Sequence, residues 1–102
     1  SLAEQIQRAF PNLKVVKTLN TVNSYVMVNP ALIPGDHDLF ISGNDAGAKA
    51  KVVDILKNWF GWKSVIDFGD LTGARAMEMM VIAWVRLWGV LQTANFNYKI
   101  VR

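Results

Sequence analysis

Apolar positions change their period several times along the chain, and each change marks an element. Leu2, Ile6 and Phe10 recur at four-residue spacing, with Ser1 before them and Glu4 three positions after Ser1. That is one face of a helix behind a Ser-x-x-Glu capping pattern, and Pro11-Asn12 ends it. Residues 14–21 (KVVKTLNT) are rich in β-branched side chains and predict a strand. Residues 22–28 mix polar and apolar positions and predict one or two helical turns. Residues 29–38, punctuated by Pro30, Pro34 and Gly35, read as a loop. A short apolar strand follows over 39–42. Gly43-Asn44-Asp45 then offers a turn and a cap for a helix over 46–60, with Val52, Val53, Leu56, Trp59 and Phe60 on one face and Gly61 at its stop. Residues 64–68 (SVIDF) predict a third strand, Asp70 a cap, and about 71–91 the longest helix. Residues 95–102 make a short tail.

Helices and strands thus alternate, which argues an α/β layer. The expectation is one domain over residues 1–102, with a thin, mostly parallel sheet of about three short strands and three main flanking helices. The chain opens on a helix, as though a preceding strand had been removed, and Ser1 stands where an initiating Met would. Both features predict a segment of a longer protein. There is no internal repeat.

Composition sharpens the picture at the last helix. Slightly over half of the chain is hydrophobic, with four Trp and five Phe. A domain this small and this apolar packs unusually well or buries surface against something else. Met77, Met79, Met80, Trp84 and Trp88 leave only a thin polar stripe of Arg75, Glu78 and Arg86. A helix apolar nearly all round is covered on more than one side. Core plus subunit interface is the expectation, giving a homodimer or higher oligomer; a flavin-sized planar ligand packed there is the functional alternative. The same run is short for a membrane span and is broken by Glu78 and Arg86. The net charge of +3 is spread out, and no basic stripe argues for nucleic acid. The absence of Cys rules out a disulfide framework, a thiolate metal site and a Cys nucleophile. With no secretory signal, the chain fits a reducing, cytoplasmic setting.

Three segments carry candidate chemistry. His37 lies between Asp36 and Asp38, but adjacent residues do not converge on one ion, so the reading is a solvated loop and no metal site. Gly43-Asn-Asp-Ala-Gly47 resembles a phosphate-cradling turn before a helix, yet it lacks the spaced glycines of a dinucleotide fingerprint, and Asp45 would repel a phosphate. Thr18-Leu-Asn-Thr-Val22 is the most site-like: it puts Asn20 and Thr21 at the carboxyl end of an apolar strand, where open α/β sheets bind ligands. Its alternative is a turn that caps a short helix. No catalytic acid, base or nucleophile stands out.

In order along the chain run T-L-N-T-V, F-I-S-G-N-D-x-x-A-K, D-F-G-D-L-x-x-A-R, E-x-x-x-x-x-W-x-R and Y-K-I-V-R. Together they resemble the second half of the NADP-dependent oxidoreductases that use the deazaflavin coenzyme F-420. They are also similar to the oxidoreductase domain of the STEAP metalloreductases. The resemblance implies the carboxyl-terminal part of a Rossmann-type enzyme, with an amino-terminal half elsewhere holding the NADP pyrophosphate. It implies that Asn20, Thr21, Val22 and Asn23 lie against the reacting rings: Asn20 and Thr21 orienting them, Val22 packing on a face. The deazaflavin enzymes carry His and Pro where this chain has Asn20 and Asn23, which favours the broader description of hydride transfer between NADP(H) and a flavin or deazaflavin-like acceptor. The rival from another class is a non-catalytic oligomerisation module built on the last helix.

Overall fold

The computed structural model describes all 102 residues, Ser1–Arg102. Its axis is β2 (Leu39–Gly43), buried at every position. LFISG carries no charge, so this strand tolerates neighbours on both edges and cover on both faces. On one side β1 (Val16–Thr18) pairs antiparallel, Val16 opposite Gly43 and Thr18 opposite Ile41. On the other β3 (Val65–Asp67) pairs parallel, Leu39 opposite Val65 and Ile41 opposite Asp67. The expected mostly parallel sheet is therefore a mixed one. The reason lies in the connections. The link from β2 to β3 contains α3 (Ala46–Asn58), long enough to carry the chain back for a parallel crossover. The link from β1 to β2 holds only α2 (Ser24–Val28) and a 3-10 turn at Pro30–Leu32. It stays at one end of the sheet and feeds the chain back in the opposite direction.

At the amino terminus, α1 (Leu2–Ala9) carries the expected capping box, the Glu4 N–H donating to Ser1 Oγ at 3.2 Å. Its packing differs from expectation. Leu2, Ile6 and Phe10 are exposed, and the buried residue is Ala3, which meets Leu71 and Ala74. A methyl lets the helix approach closely where the larger residues would hold it off. Arg75 then clamps Glu4 with two donors at 2.8 Å each. Those bonds, with a smaller contribution from Ser1, hold the Glu4 carboxyl down at about 2.

Helix α3 buries Leu56, while Trp59 points outward. Gly61, at φ +85°, turns the chain after the helix so that Trp62 is the tryptophan that enters the core. There it joins Val22, Val26, Leu39 and Leu56 and donates from Nε1 to the Met27 carbonyl at 3.0 Å. The long helix expected over 71–91 is a 3-10 turn (Leu71–Gly73) running into α4 (Ala74–Leu91). It is not long and apolar enough to cross a membrane, nor is any other helix. After it, Gln92 adopts a left-handed backbone and the irregular tail folds back over the sheet's end.

Candidate functional site

The backbone leaves β1 through Leu19, which sits at φ +61°. That is a costly conformation for a branched hydrophobic residue, and such strain concentrates where a site demands it. It delivers Asn20 to the side of α4. Asn20 Nδ2 donates to the Met77 carbonyl at 2.9 Å and lies 3.9 Å from Met80 Sδ. Asn20 Oδ1 is buried and has no partner. Thr21 is fully buried and donates to Asn97 Oδ1 at 2.7 Å. Val22 is in the core with Trp62 and Leu39. Asn23 is the N-cap of α2, accepting from the Tyr25 and Val26 N–H groups at 3.0 Å. Its Nδ2 reaches the Ala94 carbonyl at 2.9 Å. So the four residues named from sequence stand together, three of them committed to the scaffold and Asn20 the one with an unused atom.

Their position on the sheet is informative. Because β1 runs against β2 and β3, its carboxyl end lies at their amino ends. The rule that ligands sit at strand carboxyl ends applies here to β1 alone.

A second wall comes from α4 and the tail. Trp84 stacks on Phe96 with ring centroids 5.0 Å apart and planes at 27°. Trp88 follows at 5.7 Å. Trp84 Nε1 is buried without a partner. Tyr98 donates to the Met80 carbonyl at 3.4 Å, and burial pushes its phenol up. Sequence reasoning missed the tail. Its signal was the alternation Asn95-Phe96-Asn97-Tyr98, amide then aromatic, which is more than a loose end requires.

The tail is anchored by Asp38. Ile100 N–H donates to Asp38 Oδ2 at 2.7 Å, and Ser64 Oγ donates to Oδ1 at 2.6 Å. Beside it His37 is half-buried rather than solvated, a correction to the sequence reading. Its Nε2 pairs with the Pro30 carbonyl at 3.0 Å, which requires the proton there, and Nδ1 then accepts from Asn97 Nδ2 at 2.8 Å. The ring also meets Trp62 edge-on at 5.2 Å. A cleft of about 710 Å³ opens next to it, between the proline loop and the Phe60–Ser64 stretch. No group of three or more His, Cys, Asp or Glu side chains is arranged to hold a metal ion.

At the opposite edge, the amino end of α3 does not fit a pyrophosphate. Asp45 Oδ2 already accepts from the Ala48 N–H at 2.8 Å, so a carboxylate stands where a phosphate would. Lys49, the nearest cation, is spent on Asp67 at 3.0 Å and the Gly69 carbonyl at 2.9 Å.

No family model matches the sequence. Among solved structures, the chain is similar to a protein from Arthrobacter sp. FB24, provisionally described as an F-420-dependent NADP reductase. The two are 59% identical with a TM-score of 0.96, over 100% of this chain and 46% of that one. The chain thus spans about half the length of the protein it matches, and it has the fold of a fragment of a Rossmann-like NADP reductase.

Proposed function

As a chain of the NADP-dependent coenzyme F-420 oxidoreductase-like family, this protein is, we propose, the part of such an enzyme that holds the second redox ring against the nicotinamide. The observation that carries this is the whole-length match to one segment of an NADP reductase, with the Leu19–Asn23 segment pinned rigidly between α4 and the tail. NADP, when bound, supplies or takes the hydride. This chain's residues position the rings and keep water out, which is most of what direct hydride transfer requires. Asn20, Thr21, Val22 and Asn23 form the ring-facing segment. Thr21, Val22 and Asn23 fix its backbone through their own buried contacts, and Asn20 addresses the ligand. The pyrophosphate is held outside this chain, in keeping with the self-capped α3. A flavin or deazaflavin-like acceptor fits the aromatic wall of Trp84 and Phe96. The cysteine-free sequence suits a cytoplasmic enzyme.

The test is a fusion of this chain to the part of the Arthrobacter protein that it does not cover. We expect NADPH-dependent reduction of coenzyme F-420 or a flavin by the fusion. The 102-residue chain alone should show none, because most of the cofactor's binding energy is missing. A folded fusion that binds NADP yet transfers no hydride to either acceptor would overturn the proposal. The rival reading, an oligomerisation module, draws on the exposed Met79, Ile82, Val85 and Trp88 of α4. We read that face as a homodimer contact of the same enzyme.

A further inference from the structure

Two polar side-chain atoms in the wall of this site are buried and unpartnered: Asn20 Oδ1, an acceptor, and the Trp84 Nε1–H, a donor. Native structures rarely leave such atoms unpaired, and an unpaired one asks for an explanation. Both border Met80. The Asn20 amide lies 3.9 Å from its sulfur, and Trp84 is one helical turn further along the same face of α4, roughly 6 Å of rise. Phe96 stacks on Trp84, with ring centroids 5.0 Å apart. No hydrogen bond holds Phe96, whereas its neighbours Asn95, Asn97 and Tyr98 are all tied down. A planar ring that no hydrogen bond holds therefore already lies on Trp84, the residue that carries the free donor.

We propose that Asn20 and Trp84 together read the imide edge of a flavin-type ring, and that Phe96 holds the ring's place until it arrives. This rests on the reading that the chain binds such a ring, and it names the residues that choose it. A flavin or deazaflavin pyrimidine edge presents carbonyl, N–H, carbonyl in sequence. Asn20 Oδ1 would accept from the N–H while Trp84 Nε1–H donates to an adjacent carbonyl. Phe96 swings off Trp84 to admit the ring. A site built to hydrogen-bond a ligand rejects an analogue lacking the matching group, because its own buried groups are then left unpaired.

The experiment is equilibrium dialysis of the 102-residue chain with 5-deazariboflavin, its N3-methyl derivative and nicotinamide mononucleotide. The N3-methyl compound should bind the unaltered protein at least about tenfold more weakly, the loss expected when a buried acceptor goes unpaired. Trp84→Phe, which keeps a smaller aromatic ring and removes the donor, should weaken 5-deazariboflavin about 3- to 10-fold. Phe96→Ala should tighten it. Thermal melts establish that each variant folds, and the methylated ligand tests the idea with no change to the protein. Equal affinity for the two deazaflavins, or selective binding of the nicotinamide, would overturn the edge reading while leaving a ring-binding role intact. Failure of both the unaltered chain and Phe96→Ala to bind any deazaflavin would remove the ring-binding reading and this inference together.

Discussion

Asp38 shows how far one residue's role can be from its sequence neighbourhood. It is 2% exposed, and burial pushes its carboxyl upward. The Ile100 N–H, the Ser64 hydroxyl and the charges of Lys99 and Arg102 outweigh that and hold it below the usual value of 3.8. A carboxyl depressed in the folded state contributes stability that is complete above its unfolded value and is lost as pH falls through the folded one. Acid should therefore loosen the tail from the sheet end below pH 3.8. Asp38→Asn should cost about 1–3 kcal/mol at pH 7 by weakening bonds to a buried ion. It should also flatten the acid limb of stability relative to the parent, although Glu4, Asp67, Asp70 and Glu78 are depressed too and keep part of it. Urea melts across pH test both points; an unchanged acid limb would count against the anchor. The sequence could not announce this. Asp38 sits in a proline loop beside His37, and the group it holds comes 62 residues later. Asn20 was legible for the opposite reason: an amide at the end of an apolar strand is conspicuous locally, whereas its partner on α4 is not.

Helix and strand positions were legible wherever a cap or a glycine punctuated them. Ser1 and Asp45 cap as their spacing implied, whereas Asp70 caps the 3-10 turn ahead of α4 and not the long helix itself. Strand direction was not legible, because periodicity reports which side chains face together and says nothing of which way a short link returns. The same limit hid the buried side of α1, where Ala3 is chosen over Leu2 and Ile6 by the closeness of α4. Two glycines flank or occupy α4 and should respond oppositely to Ala. At Gly73 a Cβ would lie 2.7 Å from the Phe68 carbonyl and 3.2 Å from Ser42 Cβ. Its backbone is helical, so Ala would gain up to about 1 kcal/mol in propensity, but overpacking costs about 1–3 kcal/mol and wins. At Gly89 a Cβ meets nothing, so Gly89→Ala should stabilise by about 0.5–1 kcal/mol. Chemical denaturation of the two variants checks the sign of each. A neutral Gly73→Ala would mean that the turn before α4 shifts easily and does not set the helix's place on β2.

For the molecule as a whole, the excess of apolar residues seen in the sequence reappears as uncovered surface on α4. Met79 is 69% exposed, Ile82 72%, Val85 56% and Trp88 52%. These positions cover most of the helix away from the sheet, over a length of about 27 Å for eighteen residues. The thin sheet explains it: three strands cover one side of a helix, and Ala74 and Met77 fill that side. A soluble monomer seldom keeps a contiguous apolar patch larger than a few hundred Å². A second copy of the same helix is the simplest cover, since a twofold contact needs only one self-complementary surface. The chain should therefore sediment as a dimer or larger at micromolar concentration. Ile82→Glu with Trp88→Glu should shift it toward the 11.4 kDa monomer while leaving the fold intact, because neither side chain is in the core. Trp84 is left untouched in this test, since it stacks on Phe96 and its loss would confuse an interface effect with damage to the tail. If the unaltered chain sediments as a monomer, and the fusion to a nucleotide-binding half is also monomeric, a second copy is not what covers α4. The nucleotide-binding half of the proposed enzyme would then be the partner of this helix, and the same two substitutions should weaken its docking.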